Sequence, residues 1–339
     1  MKKTSIGGQA LIEGIMMRGP KRTAMAVRDQ KGEIVLEAWE NSPADKKKGV
    51  LDALVKIPII RGVINFALSM ATGYKCLMRS AEISGLEEIE EEEKRRKAEK
   101  KAAKKNKKVE ASSVTEEQTE VPSDKKESSV LMAIIGVISF IFAMGLSVCL
   151  FIWLPTFLFG LLCKPFPSLA GNRFVQSLFE GVLKIMILVA YMACVSLMKD
   201  IRRTFQYHGA EHKTIFCYEA GLDLTVENVR EQRRFHPRCG TSFLIVMVLV
   251  SIFIGFFIPP SLPHLVRSAI KLLLLPLTMG LGYEFIKLAG KHDNVVTRIL
   301  SAPGLFMQRI TVLEPTDDMI ECAIAAVKEV IPDDGSDTI

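Results

Sequence analysis

The stretch Val130–Leu154, with the sequence VLMAIIGVISFIFAMGLSVCLFIWL, predicts the fold class, because none of its side chains is charged. A helix needs about 20 apolar residues to cross the hydrocarbon core of a bilayer, so this stretch is long enough. Three further apolar segments follow it: Gly181–Met198, Ser242–Ile258 and Ser268–Ala289. The last is the weakest candidate, since it contains Lys271, Pro276 and Glu284. The sequence therefore predicts a mainly α-helical, polytopic membrane protein with about four transmembrane helices.

The distribution of Lys and Arg predicts the orientation of these helices. Eight basic side chains lie between the second and third apolar segments: Lys199, Arg202, Arg203, Lys213, Arg230, Arg233, Arg234 and Arg238. The other two short loops contain far fewer, and basic residues accumulate in cytoplasmic loops. We therefore expect a multi-pass protein of the cytoplasmic membrane whose basic loop and both termini are cytoplasmic.

The net charge of +6 indicates attraction to the anionic lipids of the bilayer, which is the one partner that the composition favours. Nucleic acid is not an expected partner, because the basic residues are not interleaved with aromatic side chains that stack on bases. Seven cysteines without any C-x-x-C spacing do not predict structural disulfides in a reducing cytosol. No cleavable signal peptide is expected, because Gln9 and Glu13 interrupt the first apolar run.

Changes in composition divide the chain into six segments. They are 1–86, an N-terminal cytoplasmic or interfacial segment with a β-hairpin and an amphipathic helix; 87–129, a charged disordered linker; 130–198, the first two transmembrane helices; 199–241, a cytoplasmic loop with a metal motif; 242–289, the last two transmembrane helices; and 290–339, a cytoplasmic tail with an amphipathic helix. The hairpin is expected over Thr23–Trp39 with a turn at Asp29–Gly32. A polar stripe along Ile59–Met78 favours an interfacial or re-entrant helix there.

The basic loop contains YHGAEHKTIFCYE at 207–219, in which His208, Glu211 and His212 form an H-x-x-E-H pattern. On a helix, residues four positions apart lie on the same face, so both imidazoles can bind one ion. Glu211 lies beside them, where a carboxylate can take a proton from a water. Glu219 follows on the same stripe but about 10 Å farther along the axis, which favours a supporting role. Cys217 points away from this face.

A third metal ligand is expected from the sequence HPRC, which contributes His236 and Cys239, and Arg238 between them is suited to an anionic substrate or a developing oxyanion. Glu284 is a further candidate, because ionisable groups in apolar segments are usually functional or paired. Lys287, one turn away, is its structural partner in the simpler interpretation. Other oxygen or nitrogen donors in the sequence are Glu227, His292 and Asp293.

Three motifs together resemble the YqhQ-like bacterial membrane family: GGQALIEGIMMRGP at 7–20, the 207–219 motif, and RRFHPRCGTSF at 233–243. That family is a domain of unknown function described as a predicted metal-dependent enzyme. The resemblance implies functional positions at Gly7, Gly8, Gln9, Glu13, Gly14, Arg18, His208, Glu211, His212, Glu219, His236, Arg238 and Cys239. It also suggests that the N-terminal segment packs over the helix of the H-x-x-E-H pattern, and that Glu13 or Arg18 completes the site.

Two functional interpretations remain open at this point. In the first, a divalent transition metal, zinc, supports hydrolysis of a lipid-linked or peptide substrate at the membrane surface, since the H-x-x-E-H order resembles that of inverzincins. In the second, the protein is a non-enzymatic scaffold, transport or metal-handling protein with a closed four-ligand site. A metal-free lipid-interacting protein is a third possibility. The number of protein ligands separates the first two, because catalytic zinc sites keep a position open.

Overall fold

The structure is a computed structural model that describes residues 3–41, 54, 56–85, 125–169, 171–236, 239–291 and 295–338. Most of the charged segment 87–129 lies outside the described residues, and so do Arg238, His292 and Asp293. The chain begins with four strands, β1 Gly7–Leu11, β2 Gly14–Arg18, β3 Arg22–Arg28 and β4 Ile34–Glu40. They form one antiparallel sheet in the order β1-β2-β3-β4.

Helices make up most of the remaining structure. They are α1 Ile60–Ser84, α2 Lys125–Val148, α3 Leu154–Leu162, α4 Arg173–Val195, α5 Lys199–Glu219, α6 Val226–Arg230, α7 Gly240–Gly255, α8 His264–Leu273, α9 Leu275–Lys291, α10 Val295–Thr311 and α11 Asp317–Lys328. A π-helical turn at Cys149–Trp153 joins α2 to α3. The predicted C-terminal amphipathic helix is α11, which has Asp317 and Asp318 in its first turn, where acidic side chains are favoured.

The predicted β-hairpin is confirmed as β3 and β4. Asp29 Oδ1 accepts hydrogen bonds from the backbone N–H groups of Lys31 and Glu33 at 2.9 and 2.8 Å, and Gly32 has the left-handed φ of 85° that this turn requires. The preceding hairpin, β1 and β2, was not predicted. Four of the five residues of β2 are buried, so this strand lacks the alternation of polar and apolar residues that marks a half-exposed strand.

Helices cover both faces of the sheet. On one face, α5 and α11 form a buried core with the strands, and this core includes Ile15, Met17, Ala24, Tyr207, Ala210, Met319, Ile320 and Val327. On the other face, Cys76 of α1 packs with Leu11, Met16, Met25 and Val27. The predicted N-terminal segment, the basic loop and the C-terminal tail therefore share one hydrophobic core.

The predicted four spans are only partly supported. Within the described residues, Gly136–Leu162 and Arg173–Val195 are long and apolar enough to cross a membrane, and α8 and α9 make a third span if the pair is counted as one helix bent by 48°. The bend falls at Leu274, two residues before Pro276, and proline fits the first turn of a helix better than its interior. α7 is apolar but shorter, with 16 residues. These helices are compatible with a membrane protein.

The second apolar helix also begins earlier than its hydropathy predicts, at Arg173 instead of Gly181. Its first two turns contain Gln176, Ser177 and Glu180, which are buried between helices. A hydropathy pattern excludes such residues from a span, whereas in the folded protein Gln176 donates to Glu180 within the helix and Glu180 binds Lys271 of α8. α7 packs against α4, α9 and α10, with a small apolar core that contains Leu188, Ile245 and Met307.

Candidate metal centre

α5 holds His208, Glu211 and His212 on one continuous helix, although Gly209 lies among them. The glycine is needed for a close approach, because a Cβ atom at this position would lie 1.9 Å from the carbonyl oxygen of Leu313. The chain after α10 runs along the helix here, and the Leu313 N–H donates to the carbonyl of Phe205 at 2.9 Å. This contact places the end of α10 beside His208.

Two backbone carbonyls fix the orientation of both imidazoles. His208 Nδ1 lies 3.0 Å from the carbonyl oxygen of Thr311, and His212 Nδ1 lies 2.5 Å from that of Arg234. Because a carbonyl oxygen can only accept, each Nδ1 carries the proton, and the lone pair of each neutral ring is therefore on Nε2. Metal-binding histidines commonly have this second hydrogen bond.

Cys239 completes a group of possible ligands with the two histidines. Its Sγ atom lies 3.0 Å from His208 Nε2 and 3.3 Å from Thr241 Oγ1. One ligand atom from each of His208, His212 and Cys239 lies within 4.8 Å of the others. Ligand atoms around a tetrahedral zinc ion are about 3.3–3.8 Å apart, so these three side chains can bind one ion after small adjustments. Three protein ligands leave a fourth position for water or substrate.

His236 lies next to this group but not within it. Its ring is 5.5 Å from that of His212 and 4.8 Å from that of Phe216, measured between centroids. Its backbone is held by the buried Gln308, which accepts from the His236 N–H at 2.8 Å and donates to its carbonyl at 2.7 Å. His236, the remaining ligand candidate from the sequence, therefore lies close to the group but could bind the same ion only after its side chain moves.

The Glu211 carboxylate points towards the sheet. Its Oε1 atom accepts a hydrogen bond from the Gly8 N–H of β1 at 3.1 Å, and the residue is buried. Burial raises the pKa of Glu211 above its usual value, while the nearby His208 and the Gly8 hydrogen bond act in the opposite direction. A side chain on residue 8 would contact Met16, Met17 and Glu211, so only glycine allows β1 to approach this carboxylate.

The N-terminal segment packs over α5, as predicted, but its polar residues do not contact the candidate ligands His208, His212 and Cys239, which we call the metal group. Glu13 binds Arg203 through both carboxylate oxygens at 2.5 Å and accepts from the Tyr207 hydroxyl at 3.3 Å. Gln9 packs against Gly73 of α1, and Arg18 is exposed at the end of β2. Neither Glu13 nor Arg18 is brought to the His and Cys side chains.

The remaining supporting residues hold elements together. Glu219 accepts from the Thr4 N–H at 2.8 Å and so fixes the start of the chain to the end of α5. Glu284 binds Arg61 of α1, with Arg61 Nε 2.6 Å from Oε1; Lys287, the partner predicted from the sequence, is not its ion-pair partner. Sequence reasoning did not identify Thr311 or Gln308, because a contact to a distant backbone group leaves no local pattern in the sequence.

Comparison with known proteins shows which protein family the chain belongs to. A protein-family model with the description "Protein of unknown function (DUF1385)" matches residues 57–333. The chain belongs to this family. One relative of this chain is "Uncharacterized protein YqhQ" of Bacillus subtilis (strain 168). The two sequences are 34% identical over 326 residues, which are 96% of this chain and 92% of the relative. The YqhQ-like resemblance is thus confirmed. No solved structure gives a significant match.

Proposed function

We propose that this DUF1385 protein is a membrane protein that binds a divalent transition metal, zinc, and uses it to hydrolyse a membrane-associated substrate, lipid-linked or peptide. The observation that carries the proposal is the orientation of two histidines. Both Nδ1 atoms donate to backbone carbonyls, which leaves both Nε2 lone pairs available beside the buried Cys239 thiol. A set of two imidazoles and one thiol is well suited to zinc, and an open fourth position is typical of catalytic sites.

The residues around the ligands suggest how such a site would work. A bound zinc ion supplies Lewis acidity towards a water molecule or a carbonyl oxygen. In our proposal the Glu211 carboxylate takes the proton from the attacking water, with Gly8 holding one of its oxygens. Arg238 would stabilise negative charge that develops on the substrate. The flanking Thr241 hydroxyl, 3.3 Å from the Cys239 sulfur, keeps the thiol in position.

We also propose a topology of four spans with the metal group on the cytoplasmic side. α7 is short, but it packs between α4 and α9 and would cross the membrane with them. α5 begins four residues after α4 ends and Cys239 directly precedes α7, so the segment between them belongs at one end of the bundle. Its eight basic residues favour the cytoplasm.

The direct test measures metal in the full chain after purification in detergent. We expect about one equivalent of zinc in the wild type, and less than about a tenth in a His208→Ala/His212→Ala variant. A Tyr218→Phe variant is a suitable control, since Tyr218 lies on the same helix and its hydroxyl binds Asp337 instead. Wild-type protein that contains no transition metal after purification without chelators would contradict the proposal.

A closed site is the second candidate, and the position of His236 favours it, because its ring lies 5.5 Å from that of His212. Four protein ligands would support a structural or metal-handling role instead of catalysis. X-ray absorption at the zinc edge distinguishes the two. His236→Ala should leave the number of nitrogen and sulfur ligands unchanged in the catalytic case and reduce it by one in the closed case.

A further inference from the structure

A group of buried charges lies between the apolar helices, apart from the metal group. Glu180 of α4 and Arg267 of α8 are 3% and 1% exposed. Lys271 of α8 binds Glu180 and also donates to Thr156 Oγ1 at 2.7 Å. Gln176 donates to the other oxygen of Glu180 at 3.0 Å. Each oxygen of this carboxylate thus accepts a hydrogen bond from a residue other than Arg267, whose Nη2 atom is 4.0 Å away, close enough for an ion pair but beyond hydrogen-bond distance.

Arg267 is left with unused donors in an apolar environment. Its Nη1 atom donates to the carbonyl of Pro259 at 2.5 Å, but Nε and Nη2 are buried and make no hydrogen bond to any residue that the structure describes. Buried donors without partners are rare in native proteins. Two cations also share one carboxylate here, so the missing partner should accept hydrogen bonds and carry negative charge.

An apolar groove adjoins this group. It has a volume of about 480 Å³ and is lined by residues from the end of α7, the following turn, α8 and α9, among them Phe257, Ile258, Pro259, Ile270, Leu277 and Leu281. Ile258 and Pro259 supply the carbonyl groups nearest to the Arg267 guanidinium. An apolar groove bordered by the two residues whose carbonyls face a buried cation matches an acyl chain followed by an anionic head group.

We propose that Arg267 and Lys271 form a binding site for the phosphate of an anionic phospholipid, with one acyl chain of that lipid in the groove. A guanidinium fork suits a phosphate, because two parallel N–H groups can bind two of its oxygens. The phosphate would satisfy the two unused donors of Arg267 and offset the excess positive charge beside Glu180. This site is independent of the metal group and depends only on the apolar helices being in a membrane.

The test compares lipids bound to the full chain by native mass spectrometry. The purified protein is exposed to equal amounts of phosphatidylglycerol and phosphatidylcholine with the same acyl chains. We expect the wild type to retain phosphatidylglycerol with about tenfold preference, and Arg267→Gln to lose most of it. Arg173→Gln is the matched control, because Arg173 is exposed at the same end of the bundle, next to Phe174, which contacts Phe256 at the end of α7.

A second pair of variants tests the groove without altering a buried charge. Leu277→Trp places a large ring in the groove and should reduce the rise in Tm that phosphatidylglycerol produces, whereas Leu288→Trp, on the same helix and exposed, should not. Equal retention of both lipids by the wild type would overturn the proposal. Competition by inorganic phosphate that is unaffected by Leu277→Trp would also overturn it, since the ligand would then be a free anion.

Discussion

Close backbone approaches at single glycines position the candidate metal ligands. Gly209 allows the backbone at Leu313 to lie against α5, and Thr311, two residues earlier, orients His208. Gly8 has a similar role on the other side of the helix, where its N–H binds Glu211. At both positions the important feature of the glycine is the absent side chain, which lets another part of the protein approach the backbone closely.

We expect Gly209→Ala to destabilise the protein by at least about 2 kcal/mol, because the new Cβ would clash with a backbone oxygen that cannot move without displacing the end of α10. The melting temperature in detergent measures this effect. Gly145→Ala is the control: no atom lies within 4 Å of the Cβ added there, and alanine is favoured in a helix. Equal melting temperatures for the two variants would contradict the close approach.

The buried Glu211 carboxyl should make stability depend on pH in metal-free protein. Its pKa is raised in the folded state, so the folded protein holds this proton at pH values where the unfolded chain has released it. The contribution of the protonated Glu211 carboxyl to stability is therefore fully present below the usual pKa of 4.5. This contribution is lost as pH rises above that value. We expect Glu211→Gln, which cannot ionise, to melt at an increasingly higher temperature than wild type as pH rises from about 4 to 7. A constant difference over this range would contradict the prediction.

At the scale of elements, α1 joins the sheet to the apolar helices. Its first turn approaches α9 closely, since a Cβ on Gly62 or Gly280 would meet atoms of the opposite segment within 2.3–2.8 Å. Small residues permit such contacts between helices in membranes. The Arg61–Glu284 pair lies at the same crossing, while Cys76 packs against the sheet at the other end of the helix.

Reversal of this ion pair tests the contact between α1 and α9. Arg61→Glu should lower the melting temperature, because two carboxylates would then face each other at a partly buried position, and Arg61→Glu/Glu284→Arg should restore most of the loss. The corresponding changes at Lys21 and Asp334, which form a largely exposed pair, should have a much smaller effect. A double variant no more stable than Arg61→Glu would indicate that the pair does not fix the two helices.

The whole molecule combines a sheet and its covering helices with a bundle of apolar helices. In the proposed topology the first part is cytoplasmic, and the metal group lies where the two parts meet, because α5 belongs to the core of the sheet while Cys239 precedes α7. A substrate in the membrane surface would reach the site from the side of the bundle.

Labelling of intact cells with a membrane-impermeant maleimide tests this topology. Cys76, Cys217, Cys239 and Cys322 are buried, so only Cys149, Cys163 and Cys194 need to be replaced by serine first. We expect Ser168→Cys, between α3 and α4, to be labelled in intact cells, and Lys31→Cys, in the β3–β4 turn, only after permeabilisation. Labelling of Lys31→Cys in intact cells would contradict the cytoplasmic placement of the sheet.

Local patterns in the sequence determined the apolar helices, the β3–β4 hairpin and the shared helix of His208 and His212. Periodicity, turn residues and charge-free runs report on neighbours within a few positions, and these features depend on nothing farther away. Tertiary structure alone decided the rest. It brought Cys239 to His208, turned Glu211 towards Gly8 and buried Glu180 with Arg267 inside the bundle. The reason is physical: such contacts join side chains to backbone groups or charges far away in the chain, and their energy depends on a burial that no local stretch of sequence specifies.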